Sequence, residues 1–518
     1  MKTKILIAFL LSVEISFSQY YPDESVLYSR TGISGTARTA GSAGAYGSVG
    51  ADLGCIGINP AGLGLYRSGD FSITPGLRIG SNETVYDGNH TDATATKIYL
   101  GQAGIAWTKI LSKGNDKNNI SFDPHPLRSI TFALSYQTDN FYSRTQKFGD
   151  YNTTNSMMDN YTGYMNATLQ PLGNYPLEIQ LANAAGLILF DSIRGNYYNN
   201  VRAPVQQSGT IETRGSNNKI DLAFGGNVSD KFYFGFALSI PLLSYNVNTS
   251  FSESNPNGTD SLTHFQNYNL NTIVNTTGVG VTGSLGLIYR PASWVRIGAS
   301  YHLPTWYTIN ETGGSTITAS YDTTGAFEID GQYQPFKYNL RAPMKGIVSA
   351  SFYYKQYGFF SIDYEFQNLG SSRYNFGSGY ADGTAQVNDT IKADYGFVHT
   401  IRAGFEGSYK VLRLRAGYAF SSSPYKKGVA MTGDPEVIQN VTAGIGIRLK
   451  HFYADFAYVF GMTKDVSYPM ATDPVNNTYI THTLLLTLGW KFGAPEPGTA
   501  KKKRYSPPPP PDSGNDRY

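Results

Sequence analysis

Thr483-Leu484-Leu485-Leu486-Thr487-Leu488-Gly489-Trp490-Lys491-Phe492 is the stretch that decides the fold. In an extended chain Leu484, Leu486, Leu488, Trp490 and Phe492 share one face. Thr483, Thr487, Gly489 and Lys491 share the other, with Leu485 an exception. A period of two with one apolar face is a strand. The same pattern runs through Phe452, Ala454, Phe456, Tyr458 and Phe460 against Asp455. It recurs in Phe232, Phe234, Phe236, Leu238 and Ile240 against Gly235, Ala237 and Ser239. Val295, Ile297, Ala299, Tyr301 and Leu303 oppose Arg296, Ser300 and His302, and Leu412, Leu414, Ala416, Tyr418 and Phe420 oppose Arg413 and Arg415. A soluble sandwich shows this period too. Here the polar faces carry scattered charges of both signs, as a wet lumen tolerates, and that points to a membrane barrel.

Working outward, fourteen such strands are expected, centred on 70–80, 97–109, 128–143, 219–228, 231–250, 268–290, 293–309, 333–355, 358–373, 394–408, 411–420, 438–449, 452–463 and 479–492. Their connections alternate. Val228-Ser229-Asp230, Arg290-Pro291-Ala292-Ser293, Lys355-Gln356-Tyr357-Gly358, Gly407-Ser408-Tyr409-Lys410 and Leu449-Lys450-His451 are short. Residues 144–218, 251–267, 310–332, 374–393, 421–437 and 464–478 make long ones. Tight periplasmic turns and long outer loops are the asymmetry of bacterial outer-membrane barrels. The 110–127 connection breaks the rule, being long and polar on the short-turn side. Within the 144–218 loop, Pro176 to Phe190 reads as a short amphipathic helix.

The 518 residues carry 15% charged and 14% aromatic side chains, with 40 Tyr and 28 Phe, a β composition rich in interfacial aromatics. A net charge of +3 is too small to argue for nucleic acid. Residues 1–18 read as a signal peptide: Lys2 and Lys4, an apolar run from Ile5 to Val13, then Ser16-Phe17-Ser18. The single cysteine, Cys55, lies far from that junction and is expected to be a small buried apolar residue. No later stretch is long and apolar enough for a transmembrane helix, and a membrane protein without one must be a closed barrel. The expected organisation is therefore a signal peptide (1–18), an N-terminal plug (19–69), an all-β barrel (70–492) with loop 144–218 outside, and a tail (493–518). The tail holds Lys501-Lys502-Lys503-Arg504 and five prolines from Pro507 to Pro511. It reads as an extended, disordered spacer, with periplasmic docking to a partner as the sharper alternative.

The plug expectation rests on Gly50-Ala51-Asp52-Leu53-Gly54-Cys55-Ile56-Gly57-Ile58-Asn59-Pro60-Ala61-Gly62-Leu63-Gly64-Leu65-Tyr66. It is too rich in glycine for an ordinary strand or helix, and Asn59-Pro60 is a turn signal. Asn59-Pro60-Ala61-Gly62-Leu63 after a Gly-Ala-Asp segment, at the N-terminal edge of a barrel, resembles the FadL family of long-chain fatty acid transporters. The resemblance implies a closed antiparallel barrel of fourteen strands with an internal hatch, and passive uptake of hydrophobic compounds. It carries over no substrate residues, because no other motif matches. The plain alternative is that Asn59-Pro60-Ala61-Gly62 only locks the plug to the first strand.

Catalytic constellations are absent from the sequence: no Gly-x-Ser-x-Gly elbow, Walker loop or His-Glu-x-x-His. Asp363 and Glu365 lie two apart and face one way, where a charge-balanced lumen with Arg402, Arg413 and Arg415 explains them better than an enzyme does. His399 and His482 fit lipid-facing or girdle places. No cofactor, metal or nucleic acid is expected; the expected partners are membrane lipids and a hydrophobic small molecule. Three readings remain: a hydrophobic-compound channel, a scaffold or secretion-associated barrel, and a polar porin. The plug-like segment argues against the porin.

Overall fold

A computed structural model describes residues 20–111, 126–429, 436–469 and 474–493. The signal-peptide expectation over 1–18, the tail beyond Gly493 and most of the 110–127 connection lie outside the described residues. Fourteen staves close into one antiparallel barrel. The staves are β1 (Gly69–Tyr86), β2 (Asn89–Ile110), then β3 (Leu127–Phe141) continued by β4 (Arg144–Asn152). A separate small hairpin follows, β5 (Ile188–Asp191) with β6 (Asn196–Asn199). The barrel resumes with β7 (Val205–Val228), β8 (Phe232–Ser254) and β9 (Phe265–Ala292). One stave is β10 (Val295–His302) with β11 (Thr305–Tyr321); the next joins β12 (Gly325–Gln332), β13 (Phe336–Ala342) and β14 (Lys345–Tyr354). Then come β15 (Gly358–Asn368) with the short β16 (Arg373–Asn375), β17 (Phe397–Tyr409), β18 (Leu412–Ser421), β19 (Ile438–Arg448), β20 (Phe452–Ser467) and β21 (Val475–Phe492). Closure is the β1–β21 ladder, with Phe71 opposite Trp490.

The faces follow the alternation. Leu486, Leu488, Trp490, Phe232, Phe236, Leu238, Ile297 and Leu414 are exposed on the outer wall, while Thr487, Ala237 and Asp455 are buried within. Leu485, the odd leucine, points inward onto Ala37 and Ala40 of the plug. The apolar outer face spans about ten residues per stave, which at ~3.3 Å per residue and a tilt near 40° gives a band of ~25 Å. That band and the closed sheet make this an outer-membrane barrel. At its lower rim the turns are tight: Ser229 and Asp230 both take positive φ (55° and 56°), the geometry that matches strand twist in a two-residue hairpin.

Strands extend further outward than expected. Residues 81–96, between the first two expected strands, complete a hairpin that turns at Asp87-Gly88. Residues 310–332 pair as β11 and β12. The 144–218 segment begins as β4 and ends as β7, so only 153–204 is a true loop. It carries α3 (Met157–Thr168) and α4 (Leu177–Ala184). The helix expected over 176–190 stops early: Gly186 takes φ +72°, and Ile188–Asp191 pairs as β5. Residues 374–393 hold most of α5 (Ala381–Asp394).

The interior is filled in three layers. Lowest is the plug, with α2 (Ala37–Ala40) and 3₁₀ turns at Leu53–Gly57 and Pro60–Leu65. Above it lies α1 (Tyr20–Ser29), within a cluster that includes Tyr142, Tyr245, Tyr307, Tyr338, Tyr374 and Tyr395. A lid of α3, α4 and the β5–β6 hairpin closes the top around Met157, Met158, Met165, Phe251, Phe265 and Tyr268.

Candidate functional site

The plug is seated by Asn59. Its Nδ2 donates to the carbonyl oxygens of Gly47 at 2.6 Å, Leu287 at 3.2 Å and Ala299 at 3.4 Å. Its Oδ1 accepts from Ala61 N at 3.0 Å, capping the turn that Pro60 starts. One side chain thus joins two plug segments to the backbones of β9 and β10. Leu63 packs with Leu53, Ile56, Ala133, Ala223 and Ala237, and Ala61 with Tyr233 and Ile288. Gly62 lies against Cys55: a Cβ there would come 2.5 Å from the sulfur. The thiol is fully buried, and burial pushes it up to about 12.

The motif approaches the wall so closely that the wall must be glycine. A Cβ on Gly235 would stand 2.2 Å from the Pro60 carbonyl carbon, and one on Gly286 would stand 1.9 Å from Asn59 Oδ1. Sequence reasoning did not pair these wall glycines with the motif. The available signal was glycine at lumen-facing positions of strong strands, where a close backbone approach is its usual use.

The charged residues also serve the seat. Asp363 Oδ2 accepts from Gly47 N at 2.9 Å, and Glu365 pairs with Arg402 at 3.0 Å. Arg38 of α2 pairs with Glu406 at 3.0 Å; Glu406 pairs with Arg415 at 2.7 Å, Arg415 with Asp455 at 2.8 Å, and Asp455 with Arg448 at 2.8 Å. Asp363 and Glu365 thus engage different partners rather than one another. Arg413 does not join them; it donates to the carbonyls of Lys410 and Leu412 at the lower rim. His399 and His482 sit on the outer wall, where Nδ1 of each meets a tyrosine hydroxyl, Tyr364 at 2.8 Å and Tyr458 at 2.7 Å.

A second feature lies in the wall itself. The β2–β3 ladder ends at Gln102 opposite Gln137. Above it β3 stays with β7, through a register shift between Thr138 and Asn140, and then bends inward as β4. Arg144 of β4 reaches Asp465 of β20 at 2.9 Å and Asn82 of β1 at 3.0 Å, and Tyr479 of β21 donates to Ser143 O at 2.7 Å. These partners belong to staves beyond β2, so β4 leans across the lumen. It meets β2 again at the outer end, where Thr91 donates to Lys147 O and Asn89 contacts Asp150. Between these contacts the wall has a window, bridged by Thr138 Oγ1 to Leu100 O at 2.8 Å. A narrow cleft opens there, lined by Ile33, Arg78, Tyr99, Asn140, Phe141 and Leu485. The rings of Tyr99 and Phe141 stand 4.0 Å apart, and Ile98 beside them is 78% exposed. The window lies where the outward faces of β1 and β2 change from apolar (Leu77, Ile79, Ile98 and Leu100) to polar (Ser81 and Thr96), at the outer edge of the apolar band.

No family model matches the chain, and no curated protein matches it. Among solved structures, it is similar to a Pseudomonas aeruginosa FadL homologue at 12% identity and TM-score 0.51, covering 89% of this chain and 99% of that one. It is also similar to two mutants of the TodX monoaromatic hydrocarbon channel, each at 12% identity over 88% of this chain. For the deltaS2 mutant 98% of that chain is covered with TM-score 0.51; for the deltaS2S3 mutant, 99% with TM-score 0.50. The architecture of the chain, fourteen staves around an N-terminal hatch, is that of the FadL-type outer-membrane barrels.

Proposed function

We propose that this protein is a passive outer-membrane channel for hydrophobic compounds, long-chain fatty acids among them, and that they cross its wall at the β2–β4 window. The window is the observation that carries the reading. Along the barrel axis the described residues put three layers in series, lid, α1 and plug, and the plug is tied by hydrogen bonds and ion pairs. An apolar solute gains nothing from an aqueous axial route. It gains from a break at bilayer level lined by Tyr99, Phe141, Ile33 and Leu485, because apolar surface stays covered from chamber to lipid. The same filled interior argues against a polar porin. The solved neighbours described as hydrocarbon channels and a FadL homologue agree with this reading.

The test closes the window without touching the plug seat. Gly32 faces the cleft, where an added Cβ meets nothing nearer than Asp139 O at 3.5 Å. Gly32→Trp should keep a heat-modifiable, folded barrel and abolish oleate uptake by cells lacking other routes. Gly173→Trp, on the open lid surface, should leave uptake intact. Mass spectrometry of the purified native protein should find retained hydrophobic compounds. Unchanged uptake in Gly32→Trp would rule out passage through the wall.

A further inference from the structure

Across the barrel from the window, the outer wall carries a row of cations. Trp306 of β11 lies directly opposite Arg341 of β13, and Arg341 directly opposite Arg373 of β16. Directly opposed residues of an antiparallel pair share one face. That face is the outer one. Tyr338, Leu340, Ala342 and Tyr374, which alternate with the row, are buried in the chamber, while Trp306 and Arg341 are exposed. Lys337, four residues before Arg341, shares the outer face and is exposed too. Neighbouring strands stand about 5 Å apart, so the row spans roughly 10 Å.

The row marks the outer edge of the apolar band. Below it Tyr301, Leu303 and Met344 are exposed on the same wall; above it come Thr308, Asn339 and Asn375. Tryptophan and long cations both settle at such a boundary, with an apolar body below and a polar tip above. Opposed arginines repel, an arrangement a chain keeps at a cost. Among the described residues Arg341 and Lys337 have neither an ion-pair partner nor a hydrogen-bond acceptor. Arg373 Nη1 donates to the carbonyls of Gly370 at 2.9 Å and Ser372 at 2.6 Å, which fixes its guanidinium without neutralising it. The acids of these strands are engaged elsewhere. Glu311 accepts from Tyr21 and Tyr338 inside the barrel, at 3.2 Å each, and Asp330 accepts from Thr316 at 2.6 Å.

We propose that Arg341, Arg373 and Lys337 form a seat for the phosphate of an outer-leaflet glycolipid, whose acyl chains lie along Tyr301, Leu303 and Met344. A phosphate monoester carries more than one negative charge and three acceptor oxygens at neutral pH, enough to answer two guanidinium forks and an ammonium. The row is at headgroup level, and Trp306 stands beside it at the height of the sugar. The seat faces lipid on the seventh to ninth of the fourteen staves, and the window lies between the second and third. The bound glycolipid is therefore a fixed neighbour of the wall, not a passenger, and the seat does not rest on the passage reading.

The test measures binding to the full-length protein in dodecyl maltoside. The probes are diphosphoryl lipid A, the same lipid without its phosphates, and inorganic phosphate. The native protein should bind diphosphoryl lipid A at least about tenfold more tightly than the phosphate-free lipid, with the margin shrinking as salt rises. Inorganic phosphate, lacking the chains, should bind far more weakly. Lys337→Gln with Arg341→Gln should erase the margin and leave binding of the phosphate-free lipid unchanged; Arg341→Lys should keep part of it. Arg194→Gln, which removes an exposed cation at the tip of the β5–β6 hairpin, should keep all of it. Heat-modifiable mobility checks that each variant folds. Equal binding of the two lipids by the native protein, or a margin that survives the double substitution, overturns the seat. Inorganic phosphate bound as tightly as diphosphoryl lipid A overturns the glycolipid as its occupant.

Discussion

Asn59 shows how much one side chain can hold. It spends both amide hydrogens and its carbonyl oxygen on four stretches of backbone, at 1% exposure. Asn59→Ala leaves the Gly47 and Leu287 carbonyls and the Ala61 amide without it, a loss of about 1–3 kcal/mol. Asn59→Asp is the sharper change, because a carboxylate can serve Ala61 N but cannot donate to the carbonyls. Both variants should loosen the plug while the barrel keeps its heat-modifiable mobility, read as faster cleavage of the N-terminal segment by added protease. Gly235→Val should do the same from the wall side, by forcing the Pro60 backbone away. Overpacking of this kind costs about 1–3 kcal/mol. If Asn59→Asp is cleaved no faster than the native protein, the Nδ2 bonds do not hold the plug.

Among the elements, α1 is the one whose hold depends on pH. It enters the chamber with Glu24 buried among tyrosines, its Oε2 unpartnered, and with Asp23 exposed beside it, accepting from the Tyr395 hydroxyl. Burial, reinforced by Glu311, pushes Glu24 well above the usual carboxylate range. An unfolded glutamate titrates near 4. The seated helix therefore holds its protons more tightly than the free chain does. Its stability is complete below about pH 4 and is lost as pH rises through the raised range of Glu24. A spin label at Leu27→Cys, with Cys55→Ser to leave one thiol, should report an immobile helix at pH 5 and a larger mobile fraction at pH 8. Asp23→Asn with Glu24→Gln should remove the difference. A line shape independent of pH in the acidic parent would mean the two carboxyls do not govern the seat.

At the scale of the whole molecule, the alternation of side chains made the barrel legible, since strands such as Phe452–Phe460 and Leu484–Phe492 carry their two faces openly. The plug was legible through its glycines and the Asn59-Pro60 turn. The chamber was not. Helix α1 is buried on nearly every side, so Tyr20–Ser29 has no apolar stripe to betray it. The window was not legible either: it arises where a ladder stops between Gln102 and Gln137, and pairing between staves leaves no local pattern. The outer strand extensions through 81–96 and 310–332 escaped because above the membrane their outward faces are polar and their inward apolar residues are few, Tyr86 in the first and Ile317, Tyr321, Phe327 and Ile329 under the lid in the second. These layers act in series, and that fixes what a deletion can do. Conductance through stacked barriers is set by the tightest one left. Deleting residues 31–64 opens the lower layer alone, and replacing 153–204 by a short linker opens the upper one alone. Each change should raise ion conductance in planar bilayers only slightly. The two together, with α1 also removed, should give a large, steady conductance. A large conductance from the plug deletion alone would show that lid and α1 leak, and that the plug is the barrier to ions.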